Sequence, residues 1–269
     1  MMELLREMLS YPFIVRALTG GLLISLCASL LGVLKLYSMI GDGLSHVSFG
    51  ALSVAVAFGW APLAVSIPVV AAAAVLLLRI TGNGKIKSDA AIAMISAGSL
   101  AVGIIVTSLT TGMTTDVSSY MFGSILAMSR EDVVLSAVLS LIVLGMFILC
   151  YNKVFAVTFD ESFARATGVR VSGYNTILAV LTAVTIVLGM RMMGAMLISS
   201  LIIFPALTSM RVFKSFSGVI LSAGTVSVGC FFIGLVLSYV YSIPAGASVV
   251  VVNMGAFGIF SVIQAVRRR

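Results

Sequence analysis

The chain has 269 residues, of which 61% are apolar and only 9% charged, with a net charge of +7 and a mean hydropathy of +1.22. A water-soluble domain carries about a quarter of its residues charged to cover its surface, so this composition excludes a soluble globule and specifies an integral membrane protein. The basic residues lie between apolar runs, which makes them orientation signals rather than a nucleic-acid surface.

The first stretch, MMELLREMLSYPFIVR, carries Glu3 and Glu7 and lacks a small-residue cleavage site. That is not the pattern of a secretory signal peptide, so the first apolar run is expected to stay in the mature chain. Runs near the length of about 20 residues that spans a bilayer follow at 17–36, 40–60, 62–80, 90–110, 133–152, 174–190, 193–210, 216–240 and 245–266. The alternation of a membrane barrel is absent. The expected fold is therefore an all-α polytopic membrane bundle of about 8–9 transmembrane helices, forming a single transmembrane domain over 1–269. The second run is broken by polar residues, and an N-terminal helix lying on the membrane surface is the alternative to a ninth span.

That second run carries the chemistry. The stretch YSMIGDGLSHVSFGA (37–51) places Asp42 four residues before His46, the chain's one histidine. A charged side chain at the bilayer centre costs about 2.5–3.5 kcal/mol even on insertion scales. In a helix the two residues share a face one turn apart, so one carboxylate oxygen and one imidazole nitrogen can hold one divalent cation. That donor mix suits zinc, manganese or iron. Two ligands are too few for a tight structural zinc site, which takes four, and an incomplete shell suits an ion that must be released. The plain alternative is a polar pair hydrogen-bonded to itself, with Asp42 as the helix N-cap.

Further along, GNGK at 82–85 lacks the spacing and the Ser/Thr of a phosphate loop, so if energy comes from ATP, another chain supplies it. The segment TTGMTTDVSSYMFGSILAMSRED (110–132) is too polar at its start to face lipid. It is expected to form an outer loop with a short, re-entrant or outer helix near 117–128, lining a protein-enclosed space. The polar stretch from Lys153 to Ser172 holds Asp160 and Glu161 at the start and Gly168 at the end of a short helix, an acidic N-terminus and a glycine C-cap. Pro205 marks a kink within the seventh run. Cys27, Cys150 and Cys230 lie in or beside apolar runs and are expected to be packing residues. Basic clusters follow alternate spans: Lys35, then Arg79, Lys85 and Lys87, then Lys153, Arg165 and Arg170, then Arg211 and Lys214, then Arg267 to Arg269. The positive-inside rule puts all of them in the cytoplasm, and nine crossings then put the N-terminus outside.

The stretch YSMIGDGLSHVSFGAL resembles the signature of the membrane permeases of ABC importers for zinc, manganese and iron. The resemblance continues through KSDAAIAMISAGSLAVGII (87–105), SSYMFGSILAMSRED (118–132), FDESFARATGV (159–169) and MRMMGAMLISSLIIFPALTSMRV (190–212). It departs near Lys35, where the family's first helix end carries two basic residues and this chain has one. The resemblance implies that Asp42 and His46 coordinate the transported ion. It implies that the loop helix near 160–168, with Asp160, Glu161, Ala164 and Gly168, docks on an ATP-binding-cassette ATPase subunit. It further implies a homodimer in the cell membrane that receives metal from an extracytoplasmic metal-binding protein, with no permanently bound cofactor. Two other readings compete. A proton-coupled secondary transporter using Asp42 predicts inverted repeats, and no second-half counterpart of the G-D-x-x-S-H stretch exists. An ABC permease for cobalamin- or siderophore-like ligands has no need of the Asp/His pair.

Overall fold

The computed structural model describes residues 6–8, 10–34, 37–82, 88–111 and 128–267, and these contain no strand. The helices are α1 (Pro12–Gly32), α2 (Tyr37–Ala57), α3 (Pro62–Gly82), α4 (Ser88–Thr111), α5 (Arg130–Leu149) and α6 (Tyr151–Phe159). They continue as α7 (Glu161–Ala166), α8 (Val171–Met193), α9 (Ala195–Val212), α10 (Phe216–Tyr241) and α11 (Ala245–Arg267). Among the described residues nine helices are long and apolar enough to cross a membrane, all except α6 and α7. The first of these begins at Pro12, so the N-terminal run is a span by length and composition. The short helix expected near 117–128 falls outside the described residues apart from Met128, as do Lys35, Lys85, Lys87, Arg268 and Arg269.

Local chemistry sets the helix ends. Pro12 occupies the first turn of α1, where its missing N–H costs nothing and its fixed φ suits the helix. At α5 the Ser129 hydroxyl accepts from the Asp132 backbone N–H, and the Asp132 carboxylate accepts from the Ser129 backbone, a reciprocal box that satisfies two donors. Between α8 and α9 a single residue, Gly194, turns the chain at φ 89° and ψ 159°, a region that side chains with a Cβ avoid. The apolar runs at 174–190 and 193–210 thus become two spans joined with almost no loop.

Packing fixes the order of the spans. Gly32, at the end of α1, lies directly against the Ile202 backbone of α9. Gly20, nearer the start of α1, packs on Met128 and Val133 at the start of α5. α2 and α4 run in the same direction, because Gly43 lies beside Ile92 and Ser96 while Gly50 lies beside Ser99. One face of the bundle therefore carries Arg79, Lys153, Arg165, Arg170, Arg211, Lys214 and Arg267, and the opposite face carries Arg16, Arg130 and Arg191. Below, the first is called the basic face.

The centre of the bundle is built from Ile24 and Leu31 of α1, Leu44 and Phe49 of α2, Ile186 of α8 and Phe231 of α10, all nearly inaccessible. In lipid, helix association depends on close packing and interhelical hydrogen bonds rather than on water exclusion. Such bonds are present: the Ser227 hydroxyl donates to the Ser25 carbonyl at 2.9 Å, and the Ser209 hydroxyl to that of Ser222 at 3.0 Å. On the face opposite the basic one, Arg191 of α8 lies 3.7 Å from the Asp132 carboxylate of α5. α4 and α11 are the least enclosed spans. Leu109, Leu149 and Leu221 are each more than 70% exposed on the outer surface of the bundle, where lipid is their solvent.

Candidate functional site

α2 is the most enclosed of the spans and holds the Asp/His pair in its first half. Its helix is already formed at Tyr37, so Asp42 lies beyond the first turn and is not an N-cap. Asp42 and His46 are both half-buried. No hydrogen bond or ion pair joins their side chains to each other. The alternative of a self-satisfied polar pair therefore lacks its bond. Among the described residues no group of three or more His, Cys, Asp or Glu side chains converges, so within them the pair has no fuller ligand set around it.

Neighbours on two sides define the face of α2 that the pair occupies. A Cβ on Gly41 would sit 3.2 Å from Ile202 of α9 and 3.9 Å from Ile186 of α8. Ser45 also points that way: the Ser199 hydroxyl of α9 donates to Ser45 Oγ at 3.0 Å, and Ser45 donates to the Asp42 carbonyl at 2.7 Å. On another side, a Cβ on Gly43 would lie 2.8 Å from Ile92 of α4, and one on Gly50 would lie 2.6 Å from the Ser99 carbonyl oxygen. Successive residues turn by about 100°, which puts Asp42 and His46 in the arc between those two surfaces. Phe49 and Ser53 fall in the same arc, further along α2. Ser199 carries no sequence signal that would tie it to the site, since it lies 154 residues from Ser45.

The loop helix forms as its sequence suggests. The Asp160 carboxylate accepts from the Phe163 backbone N–H at 2.9 Å, capping α7. Glu161 accepts from Arg165 at 3.2 Å within α7 and from the Asn175 side chain of α8 at 3.0 Å. Ala164 is fully buried in a small core with Val157 and Val171, and Gly168 just past the helix has φ 83°. Phe163 is 60% exposed on the basic face. These four residues come together on one rigid turn anchored to α8. They are far in sequence and in the fold from Asp42 and His46, but α8 packs on both, through Asn175 at one end and Ile186 near Gly41 at the other.

The sequence pattern of the ABC 3 transport family matches residues 10–264. The chain belongs to that family. It is thus a multi-pass membrane permease subunit of an ABC transporter, with the ATPase on a separate chain. It is 28% identical to the manganese import system permease protein ScaB of Streptococcus gordonii, over 93% of this chain and 91% of that one. It is 27% identical to the high-affinity zinc uptake system membrane protein ZnuB of Haemophilus influenzae, over 92% of this chain and 96% of that one. Among solved structures it is similar to PsaBC from Streptococcus pneumoniae in complex with Fab, with a TM-score of 0.85 and 28% identity, covering 96% of this chain and 94% of that one.

Proposed function

We propose that this permease imports a divalent transition metal, zinc, manganese or iron, and that Asp42 and His46 are its ligands in the membrane. The observation that carries the reading is the pair itself: a carboxylate and an imidazole one helical turn apart, half-buried in the most enclosed span and not bonded to each other. A dehydrating cation is the partner such donors suit. The names of the relatives, one a manganese and one a zinc system, support the class and leave the choice among metals open.

Two copies of the chain, paired so that the Asp/His faces of their α2 helices meet, supply four donors, the number a bound zinc takes in a closed site. An incomplete or shared shell releases the ion more readily. Power comes from an ATPase subunit docked on the basic face at α7, where Asp160 caps the helix, Glu161 fastens it to α8, Ala164 seats it and Gly168 ends it. On this reading the basic face is cytoplasmic, the whole chain works as one permease unit, and an extracytoplasmic binding protein delivers metal to the opposite face.

Replacing Asp42 by Asn keeps its shape and removes its charge. Uptake of radioactive zinc or manganese by cells that depend on this transporter is expected to fall to background for Asp42→Asn and for His46→Ala, with membrane abundance unchanged. A proton carrier gives another pattern, in which Asp42 is essential, His46 is dispensable and a pH gradient drives transport without ATP. Normal metal uptake by well-folded Asp42→Asn and His46→Ala proteins would remove the metal-site reading.

A further inference from the structure

On α2 the polar face does not stop at His46. Asp42, His46, Phe49 and Ser53 follow one another at steps of four, three and four residues, the spacing of a single stripe on a helix. Ser53 is 5% exposed, and its hydroxyl makes no hydrogen bond. A buried hydroxyl normally finds a partner, in a helix most simply the carbonyl one turn back. Ser45, on the side of α2 that meets α9, is satisfied twice over. Ser53 lies about 80° round the helix from Ser45, on the stripe of the Asp/His pair and further from the basic face.

Between the pair and this unpartnered hydroxyl stands Phe49, 1% exposed. Its ring lies where a side chain on Gly103 of α4 would otherwise be: a Cβ built there would meet the ring at 2.6 Å and 2.7 Å. The missing side chain of Gly103 is thus the seat of the Phe49 ring. An apolar ring inserted into a line of polar groups blocks water and ions without any charge of its own, as hydrophobic constrictions in channels do.

We propose that Phe49 is the gate on the delivery side of the Asp42/His46 site, and that the ion's route continues past it to Ser53. In the described conformation the ring is seated on Gly103 and the route is closed. Opening it requires the ring to leave that seat, and the Ser53 hydroxyl then offers the arriving ion an oxygen before Asp42 and His46 take it. The gate rests on the reading of the pair as the ion site, but its test does not use metal.

The test uses Ser53→Cys in a protein whose Cys27, Cys150 and Cys230 are replaced by alanine, assembled with its ATPase and exposed to a small cationic methanethiosulfonate from the delivery side. Without ATP the thiol is expected to react slowly. Adding Phe49→Ala is expected to speed the reaction by about tenfold or more, because the rate follows local opening and a buried ring has been deleted. Phe49→Leu, which keeps most of the volume, gives an intermediate rate. Ser48→Cys is the control: Ser48 is equally buried and equally unpartnered, but stands about 140° further round the helix. Its rate is expected to stay unchanged by Phe49→Ala. Equal acceleration at both cysteines means general loosening and overturns the gate, as does a Ser53→Cys rate that ignores residue 49. Gated labelling together with normal metal uptake by Asp42→Asn keeps the gate and removes the metal reading.

Discussion

A Cβ on Gly50 would meet the Ser99 carbonyl oxygen at 2.6 Å, whereas one on Gly98, the residue before Ser99 on α4, would meet nothing within 4 Å. The backbone of α4 cannot yield to the first methyl without a shift of the whole helix. Gly50→Ala is therefore expected to destabilise the protein by about 1–3 kcal/mol, the cost of overpacking a tight interface. Gly98→Ala is expected to be neutral or to stabilise it by about 0.5–1 kcal/mol through helix propensity. Thermal unfolding of the two purified variants separates them, and equal shifts would mean that the α2–α4 approach is looser than described. The same residues mark the limit of what the sequence tells. Asp42 and His46 are legible because charge in an apolar run is rare and their spacing is local. Phe49 and Ser53 look like ordinary members of a span, and only the Gly103 seat and the place of an unpartnered hydroxyl on the stripe of the Asp/His pair set them apart. The Asp132–Arg191 pair is equally silent in the sequence, because it joins residues that only the packing of α5 on α8 brings together.

Helix α7 shows the same contrast at the scale of an element. Its start and end are legible, since Asp160, Glu161 and Gly168 are local capping signals that need no tertiary knowledge. Its attachment is not, because the Glu161–Asn175 bond joins it to α8 across 14 residues. Gly168 has open space around it and φ 83°, so backbone strain and not crowding decides which residues it tolerates. A β-branched side chain there costs more than the ~1–2 kcal/mol of an ordinary residue in the left-handed region, while asparagine is tolerated. Gly168→Val is expected to weaken co-purification with the ATPase subunit and to uncouple ATP hydrolysis from transport, and Gly168→Asn to retain most of both. The bundle's melting temperature should move little in either, since α7 stands outside the nine spans. Full assembly and coupling by Gly168→Val would leave α7 as an ordinary solvated turn.

At the scale of the whole molecule, the apolar runs predict the spans well because lipid imposes one rule on each of them: enough apolar length, with every backbone group paired within the helix. The structure moves only their edges, starting α2 at Tyr37 rather than residue 40 and closing the α8–α9 turn on Gly194. The same rule makes orientation testable. Nine crossings in sequence put Arg165 and Lys214 on one side and Arg191 and Ser242 on the other. The excess of Lys and Arg on the first side makes it cytoplasmic. With that side cytoplasmic, the docking proposed for α7 falls inside the cell, and the gate proposed at Phe49 and Ser53 lies toward the side from which an imported ion arrives. Single cysteines at positions 165, 191, 214 and 242, in a chain with its native three replaced, can be probed in intact cells with a membrane-impermeant maleimide. Positions 191 and 242 are expected to label from outside, and 165 and 214 only after the cells are broken. Arg191 is the most informative of the four, because its ion pair with Asp132 leaves the side chain about half-exposed, so a cysteine there is reachable without unfolding α8. Labelling of positions 165 and 214 in intact cells, with 191 protected, would invert the molecule and place the gate at Phe49 on the exit side instead.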